Sequence, residues 1–492
     1  MLSDVLQELH WEQSHGGTSW LDSLPDVPAE PIEQAQRVID AIEEAGKALE
    51  QLHSVDYALS GFKPGLLMKT ESSFRIRSLQ SNITRIGKAP ENPSVSPAYS
   101  APEIVEPSPV SAATDVFHLA ALFYGLATRK APQGTTIEGL RSCRYNLPRF
   151  RIYDPTFPVG FEAIWRTAMS TNPGKRYATV TEFLNALKGA LEQMRKNASG
   201  EVVLKFDVGA GTEIGKVKQL RSPVNQDAIF PDPGQGESSR MAELGRDVFA
   251  IADGVSRCDY GSGDVASGIV LKWTKRAFEK YVKPAGEESP DWEVEEVFKT
   301  LSQVVVQATH EIAESAPAGE EIRPEKMMSS TLIAAIVKNH NVLIGNTGNS
   351  RAFIIGKDYI EQINLDDDVW HARLRSGMPP EEASTKKGNT LLRRVVGACM
   401  KEGDQIMPDL RRVRFASFRA CLGPGDILLL GSDGLIEEGN YISQSEAFEL
   451  VRKNIDKSAQ EICDILINEA NDRQVPPKHG DNISCIIVKA QD

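Results

Sequence analysis

Two aspartate–glycine steps stand at the ends of apolar runs in this sequence. The first closes Asp247-Val-Phe-Ala-Ile-Ala-Asp253-Gly254, where Val248 to Ile251 read as a buried strand ending on a carboxylate. The second closes Ile427-Leu-Leu-Leu-Gly-Ser-Asp433-Gly434. A third acid-rich turn, Gly480-Asp481-Asn482, opens the apolar run from Ile483 to Val488. Hard divalent cations such as magnesium and manganese prefer oxygen ligands of this kind. A glycine after the acid lacks a Cβ, so its carbonyl can approach a ligand closely. These stretches predict one metal site, assembled by Asp253, Asp433 and Asp481 from distant parts of the chain.

The elements that must position these acids need a substantial core. The chain has 492 residues, 41% hydrophobic and 25% charged, a globular balance with room for more than one domain. Its net charge of -13 argues against general nucleic-acid binding, which wants basic surface. No apolar run reaches the ~18 residues of a membrane span. The start, Met-Leu-Ser-Asp-Val, lacks the charged and apolar regions of a signal peptide. Cys143, Cys258, Cys399, Cys421, Cys463 and Cys485 are scattered without a CxxC pair. That spacing predicts reduced thiols and a cytoplasmic protein.

Texture divides the chain near Lys196-Asn-Ala-Ser-Gly200, giving expected domains of 1–198 and 199–492. Residues 1–31 read as an irregular arm, Ile32 to Leu52 as an amphipathic helix, and Thr181 to Arg195 as the helix closing the first domain. After Val202 strands dominate. Val202 to Asp207 reads as the first of them, followed by the glycine-rich Gly209-Ala-Gly211. Helices are expected from Gly263 to about Lys280, from Trp292 to about Ala313, and twice between Gln444 and Ala470. Asn364 to Asn389 reads as an irregular flap, and Asp366-Asp-Asp368 within it as a solvated loop. His310 and His340 are assigned no ligand role.

The first domain resembles the C-terminal lobe of a protein kinase. Phe62-Lys63-Pro64 with Leu66-Leu67-Met68 resembles the catalytic-loop region, and Tyr99-Ser-Ala101-Pro102-Glu103 the motif that ends the activation segment. Thr114-Asp115-Val-Phe-His-Leu119 and Asn172-Pro173-Gly-Lys-Arg176-Tyr177 resemble later kinase segments, in kinase order. The resemblance implies a buried ion pair between Glu103 and Arg176. It also implies loss of function. The catalytic aspartate would fall at Gly61, the metal-binding asparagine at Leu66, and the Asp-Phe-Gly motif is replaced around Leu79-Gln80-Ser81. About 50 residues precede this region, too few for the glycine-rich loop and lysine of an N-terminal lobe. The expectation is a pseudokinase: a mainly α, kinase-like lobe that regulates without transferring phosphate.

The second domain resembles the metal-dependent serine/threonine protein phosphatases of the PPM, or type 2C, family. The resemblance rests on Arg221…Asn225-Gln226-Asp227, Asp253-Gly254, Ser329-Ser-Thr331, Gly348-Asn349-Ser350-Arg351, Ser432-Asp433-Gly434 and Gly480-Asp481-Asn482, in family order. It implies an α+β fold of two antiparallel sheets packed face to face and flanked by helices. It further implies two divalent cations, manganese or magnesium. Asp253 would bridge them, the Gly254 carbonyl would complete one shell, and Asp433 and Asp481 would hold one ion. Asp227 would position the water network, and Arg221 would grip the substrate phosphate.

Four departures matter. Arg221 sits one residue further from Asp227 than the family spacing. Val255 stands where some relatives carry a histidine acid, and Asn349 where many carry an aspartate for a third metal. Ser256-Arg257 also replaces the usual glycine pair. The expected function is hydrolysis of phosphoserine and phosphothreonine in a bacterial cytoplasm, on substrates of a cognate kinase. A protein regulator or a dimer contact is expected to act through the kinase-like domain. The alternative is a pseudophosphatase scaffold that binds phosphoproteins without turnover.

Overall fold

The computed structural model describes residues 10–11, 18–19, 31–69, 74–77, 81–96, 98–130, 132, 149–154, 157–199, 203–241, 246–256, 258–281, 290–317, 322–389, 391–413, 415–437, 440–475 and 480–491. They fall into two units, Met1–Arg195 with Leu374–Lys386 and Lys196–Arg373 with Lys387–Asp492. Among the described residues no helix is long and apolar enough to cross a membrane.

In the first unit, helix α1 (Pro31–His53) turns Ala35, Ile39, Ile42, Leu49 and Leu52 to one buried face. That face packs on α2 (Ala112–Thr128), in which every residue but Ala112 and Gly125 is buried. A helix apolar all round belongs at the centre of a core. α3 (Phe161–Ala168) adds Phe161 and Trp165, and α4 (Val180–Ser199) adds Phe183 and Leu187.

Two buried charge groups tie this core together. Asp115 accepts from the Leu59 N–H at 3.2 Å, from His53 at 2.8 Å and from His118 at 3.0 Å. Against the upward push of burial, those histidines hold its carboxyl below the usual range. Arg176 meets Glu103 with both forks, Nη1–Oε1 at 2.7 Å and Nη2–Oε2 at 2.9 Å. It also donates to the carbonyls of Ala113 and Ser170 and lies over the Phe117 ring.

The unit is less purely helical than expected. His10–Trp11, Thr18–Ser19, Leu67–Lys69 and Phe74–Arg77 form a four-stranded sheet, and Tyr57–Leu59 pairs with Ile83–Arg85. The first two of these strands lie in the stretch read as an irregular arm. Strands of two to four residues are too short to show an alternating pattern. Residues 79–80, read as part of the replaced Asp-Phe-Gly, and Gly200 of the expected boundary lie outside the described residues.

The second unit carries two large antiparallel sheets, besides the pair of short strands Cys399–Glu402 and Gln405–Pro408. One has the order β8-β5-β4-β3-β2, from Ala416–Cys421 (β8), Asn341–Thr347 (β5), Leu332–Lys338 (β4), Arg246–Asp253 (β3) and Asp227–Phe230 (β2). The other has the order β7-β6-β9-β10-β1, from Ile360–Gln362 (β7), Arg351–Ile355 (β6), Ile427–Gly431 (β9), Asn482–Gln491 (β10) and Lys205–Ile214 (β1).

Strand periodicity sorts the faces. Val248, Ala250 and Ala252 of β3 pack against α5 (Gly263–Tyr281) and α6 (Pro290–Glu314). Leu429 of β9 and Cys485 of β10 pack against α7 (Gln444–Lys453) and α8 (Ala459–Asp472). The opposite faces, with Phe249, Ile251, Leu428 and Ile486, are fully buried as well. Strands of the two sheets meet there, β10 against both β2 and β3.

Two expectations for this unit need correction. Gly209 and Gly211 do not follow the first strand but lie within it; β1 runs straight through them. Helix α8 rides so low on the sheet that a Cβ on Gly209 would come 2.4 Å from the Ala459 backbone, and one on Gly211 2.8 Å from Ile467. The glycines mark a close approach rather than a turn. The expected flap is also ordered, with helix Val369–Arg375 and, in the segment that falls into the first unit, helix Pro380–Thr385. Asp368 caps the first of them, accepting the His371 N–H at 2.7 Å.

Candidate metal centre

The register of two strands creates the site. β3 and β2 run antiparallel with Asp253 and Asp227 as Cα partners. Directly opposed like charges are destabilising, so a second feature must compensate this pair. Gln226, beside Asp227, accepts the Gly254 N–H through its carbonyl at 3.0 Å, and Asn225 Oδ1 accepts the Asp227 N–H at 3.0 Å. The Asp253 carbonyl accepts from the Thr331 N–H at 2.8 Å and from Ser330 Oγ at 3.0 Å. Thr331 Oγ1 shares a hydrogen bond with Ser350 Oγ at 3.0 Å. The polar motifs around residues 330 and 350 thus clamp the strand end that presents Asp253.

Glycines let the remaining turns close on it. A Cβ on Gly254 would lie 2.0 Å from the Gly263 carbonyl oxygen, so the aspartate–glycine turn and the start of α5 touch backbone to backbone. A Cβ on Gly434 would lie 2.0 Å from the Asn482 carbonyl oxygen and 3.2 Å from the Asp481 side chain. The Asp433 and Asp481 turns are therefore neighbours. β9 and β10 bring them there, pairing Gly431 with Cys485, after which Ser432 Oγ accepts the Ser484 N–H at 3.0 Å.

The four carboxylates share one electrostatic environment. Burial, then Asp481 beside it, pushes Asp227 up to about 6. Burial, then the charges of Asp481, Glu437 and Asp227, pushes Asp433 up to about 7. Asp253 is raised well above the ordinary range by burial and then by Asp227, Asp433 and Asp481. Hydrogen bonds satisfy only part of this group. Ser484 donates to Asp227 Oδ2 at 2.7 Å, and Asn349 donates to Asp433 Oδ2 at 2.8 Å. Asp227 Oδ1 and Asp433 Oδ1 are buried with no hydrogen-bond partner. Buried acceptors without donors, among acids that repel one another, fit a site for divalent cations.

Not every expected residue lies inside the cluster. Arg221 sits in an exposed turn after the short helix Lys216–Gln219, its N–H bonded to the Lys218 carbonyl. Asn349 bonds a carboxylate of the cluster through its amide. A basic group facing the acids is Lys218, whose Nζ lies 2.7 Å from Asp481 Oδ1 and 2.7 Å from Ser256 Oγ. Pattern reading could not find that pairing, because it spans two distant segments and no periodicity links them. Arg257 lies outside the described residues.

Asp366 and Asp367 are buried rather than solvated, 1% and 3% exposed, and Asp368 is half-buried. Arg351 donates to Asp366 Oδ2 at 2.7 and 3.0 Å, and Gln362 donates to Oδ1 at 2.8 Å. Asp366, Asp368 and His371 place oxygen and nitrogen atoms within 4.8 Å of one another. Their mutual and arginine contacts already satisfy them. His340 is likewise a core residue, 2% exposed with Nδ1 2.8 Å from the Leu422 carbonyl.

Residues 399–491 match the family model of stage II sporulation protein E (SpoIIE). A serine/threonine phosphatase, stp, of Listeria welshimeri is 27% identical over 246 residues, which is 49% of this chain and 84% of that protein. A serine/threonine phosphatase structure from S. agalactiae has a TM-score of 0.43 at 20% identity, covering 58% of this chain and 99% of that one. The catalytic domain of serine/threonine protein phosphatase PstP, solved with two manganese ions, has a TM-score of 0.40 at 18% identity, covering 59% of this chain and 100% of that one.

Proposed function

We propose that this chain is a two-metal serine/threonine protein phosphatase of the PPM type, carrying a kinase-like lobe that no longer transfers phosphate. The chain is a protein serine/threonine phosphatase, in line with the stp relatives, most of whose length it spans. The observation that carries the metal assignment is a cluster of carboxylates in which two buried oxygens have no hydrogen-bond partner. The cofactors are two divalent cations, manganese or magnesium. Such ions acidify a water and offset the negative charge of a phosphoryl group.

The chain's own residues prepare that chemistry. Asp253, on which the charges of Asp227, Asp433 and Asp481 all act, would be the bridge, with the Gly254 carbonyl beside it. Asp433 and Asp481, neighbours through Gly434, are the proposed ligands of one ion. Asp227, turned by Ser484, orients the water. Arg221, in its exposed turn, is the proposed contact to the substrate phosphate. The substrates are phosphoserine and phosphothreonine proteins, including those of a cognate kinase.

For the first unit, the proposal of a silent kinase-like lobe draws on Gly61 and Leu66. A Cβ at Gly61 would lie 2.8 Å from Asn82 Oδ1 and 3.0 Å from Ser94, which leaves no room for an acid there. Leu66 is 6% exposed, an apolar core position. The lobe's proposed role is to bind a regulator or a second copy and so set phosphatase activity.

The deciding experiment is phosphate release from phosphoserine and phosphothreonine peptides by the purified chain, with and without manganese. Manganese-dependent release supports the assignment. Binding of the phosphopeptide without release, in manganese-loaded protein, would leave the scaffold reading in its place.

A further inference from the structure

Lys218 sits among the carboxylates rather than on the surface around them. Its side chain is 11% exposed, and its ammonium lies 2.7 Å from Asp481 Oδ1. A second hydrogen bond, to Ser256 Oγ at 2.7 Å, fixes it from the other side, and Ser256 in turn donates to Gln226 Oε1 at 2.6 Å. The backbone is held too. A Cβ on Gly480 would come 2.4 Å from the Lys218 nitrogen, so the Lys216–Gln219 helix and the Asp481 turn are packed against each other. One positive charge thus stands within the group of four acids, and it also acts on Asp227 and Asp253.

We propose that Lys218 is a built-in competitor for the metal: its ammonium holds Asp481 until a divalent cation takes that carboxylate, and so sets the metal concentration at which the Asp481 side fills. The inference rests on the metal-centre reading above. A dication approaching Asp481 meets a like charge, poorly screened because Lys218 is almost wholly enclosed. Binding then follows one of two routes. The ammonium swings away and loses Asp481 and Ser256 together, or it stays and repels the ion. Either route weakens the step at Asp481 and leaves the step at Asp253 less affected. The two ions therefore bind with separated affinities, and the weaker step reports on Lys218.

Calorimetric titration of the full chain with manganese alone tests this without relying on turnover. A neighbouring full charge changes a carboxylate's proton affinity by ~10-fold or more. Lys218→Met is accordingly expected to tighten the weaker manganese step by about 10-fold. Lys218→Arg keeps the charge and should stay near wild type. Ser256→Ala, which loosens the ammonium without removing it, should tighten the step by less, and it carries the test if Lys218→Met fails to fold. Asp481→Asn should delete the weaker step in wild type and Lys218→Met alike. A folded Lys218→Met variant, or Ser256→Ala in its stead, with the weaker step at wild-type affinity would overturn the role of Lys218. No manganese uptake by the wild type at millimolar metal would instead overturn the metal centre itself.

Discussion

Asp253 and Asp227 face each other as direct partners across β3 and β2, two carboxylates on one face of an antiparallel pair. Without metal this arrangement costs stability, and the cost has a predictable pH dependence. Unfolded, such acids lose their protons near pH 4. Folded, Asp227 keeps its proton to about 6 and Asp433 to about 7. Across that window the folded chain binds more protons than the unfolded one. Metal-free stability therefore falls as pH rises from about 4 toward 7. In EDTA, the loss of thermal midpoint across this window should shrink in Asp433→Asn. An identical pH profile for that variant would refute the shared-charge account.

Removing a strand-end acid should abolish chemistry without unfolding the chain. Asp253→Ala and Asp433→Ala are expected to lower manganese-dependent hydrolysis of p-nitrophenyl phosphate by ~1,000-fold or more, a barrier change of about 4 kcal/mol. Far-UV circular dichroism should be unchanged. Wild-type turnover by Asp433→Ala in saturating manganese would remove Asp433 from the site.

Backbone contact at the turns makes a different demand. Gly254→Ala and Gly434→Ala each push a methyl group into a carbonyl oxygen 2.0 Å away. Each should destabilise the phosphatase unit by ~1–3 kcal/mol through overpacking. Each should also weaken manganese binding, since the displaced turns carry Asp253 and Asp433. Gly403→Ala, with nothing within 4 Å of its added Cβ, is a control for the collision, though its φ of +61° carries a backbone cost. Normal metal affinity in Gly254→Ala would show that the turn tolerates the shift.

In the first unit, Glu103→Gln and Arg176→Met each leave a buried charge uncompensated. Losses of ~3–5 kcal/mol are expected for either variant. The double variant should lose less than the two singles together, because the pair is one unit. Calorimetric melting of the full chain reads this out. Additive losses would mean that Arg176 acts mainly through the carbonyls of Ala113 and Ser170.

The acids at 253, 433 and 481 were visible in the sequence because each adjoins a long apolar run, and a glycine follows or precedes it. Strand ends and close turns write themselves locally. Gly209 and Gly211 misled for a related reason: glycine signals either a turn or a close neighbour, and only the position of α8 decides which. The Asp366–Asp368 run looked solvated because its partner Arg351 is on another strand. The Lys218–Asp481 pair was equally hidden, as charge pairing between remote segments leaves no periodic trace. Short strands such as Thr18–Ser19 fall below the length at which alternation can be recognised.

The pairing of β1 with β10 sets an order of events. Lys205 lies opposite Gln491, and Asn482, next to the acid at 481, lies opposite Ile214. The strand that begins this unit has no partner on that side until its last strand has been made. During synthesis the acids at 227 and 253 emerge long before 433 and 481, so a nascent chain holds half a site with its charges unopposed. Contacts this remote in sequence form late and slowly. Completion of the sheet and completion of the metal site are one folding step, and a chain cut short before Asn482 would gain neither.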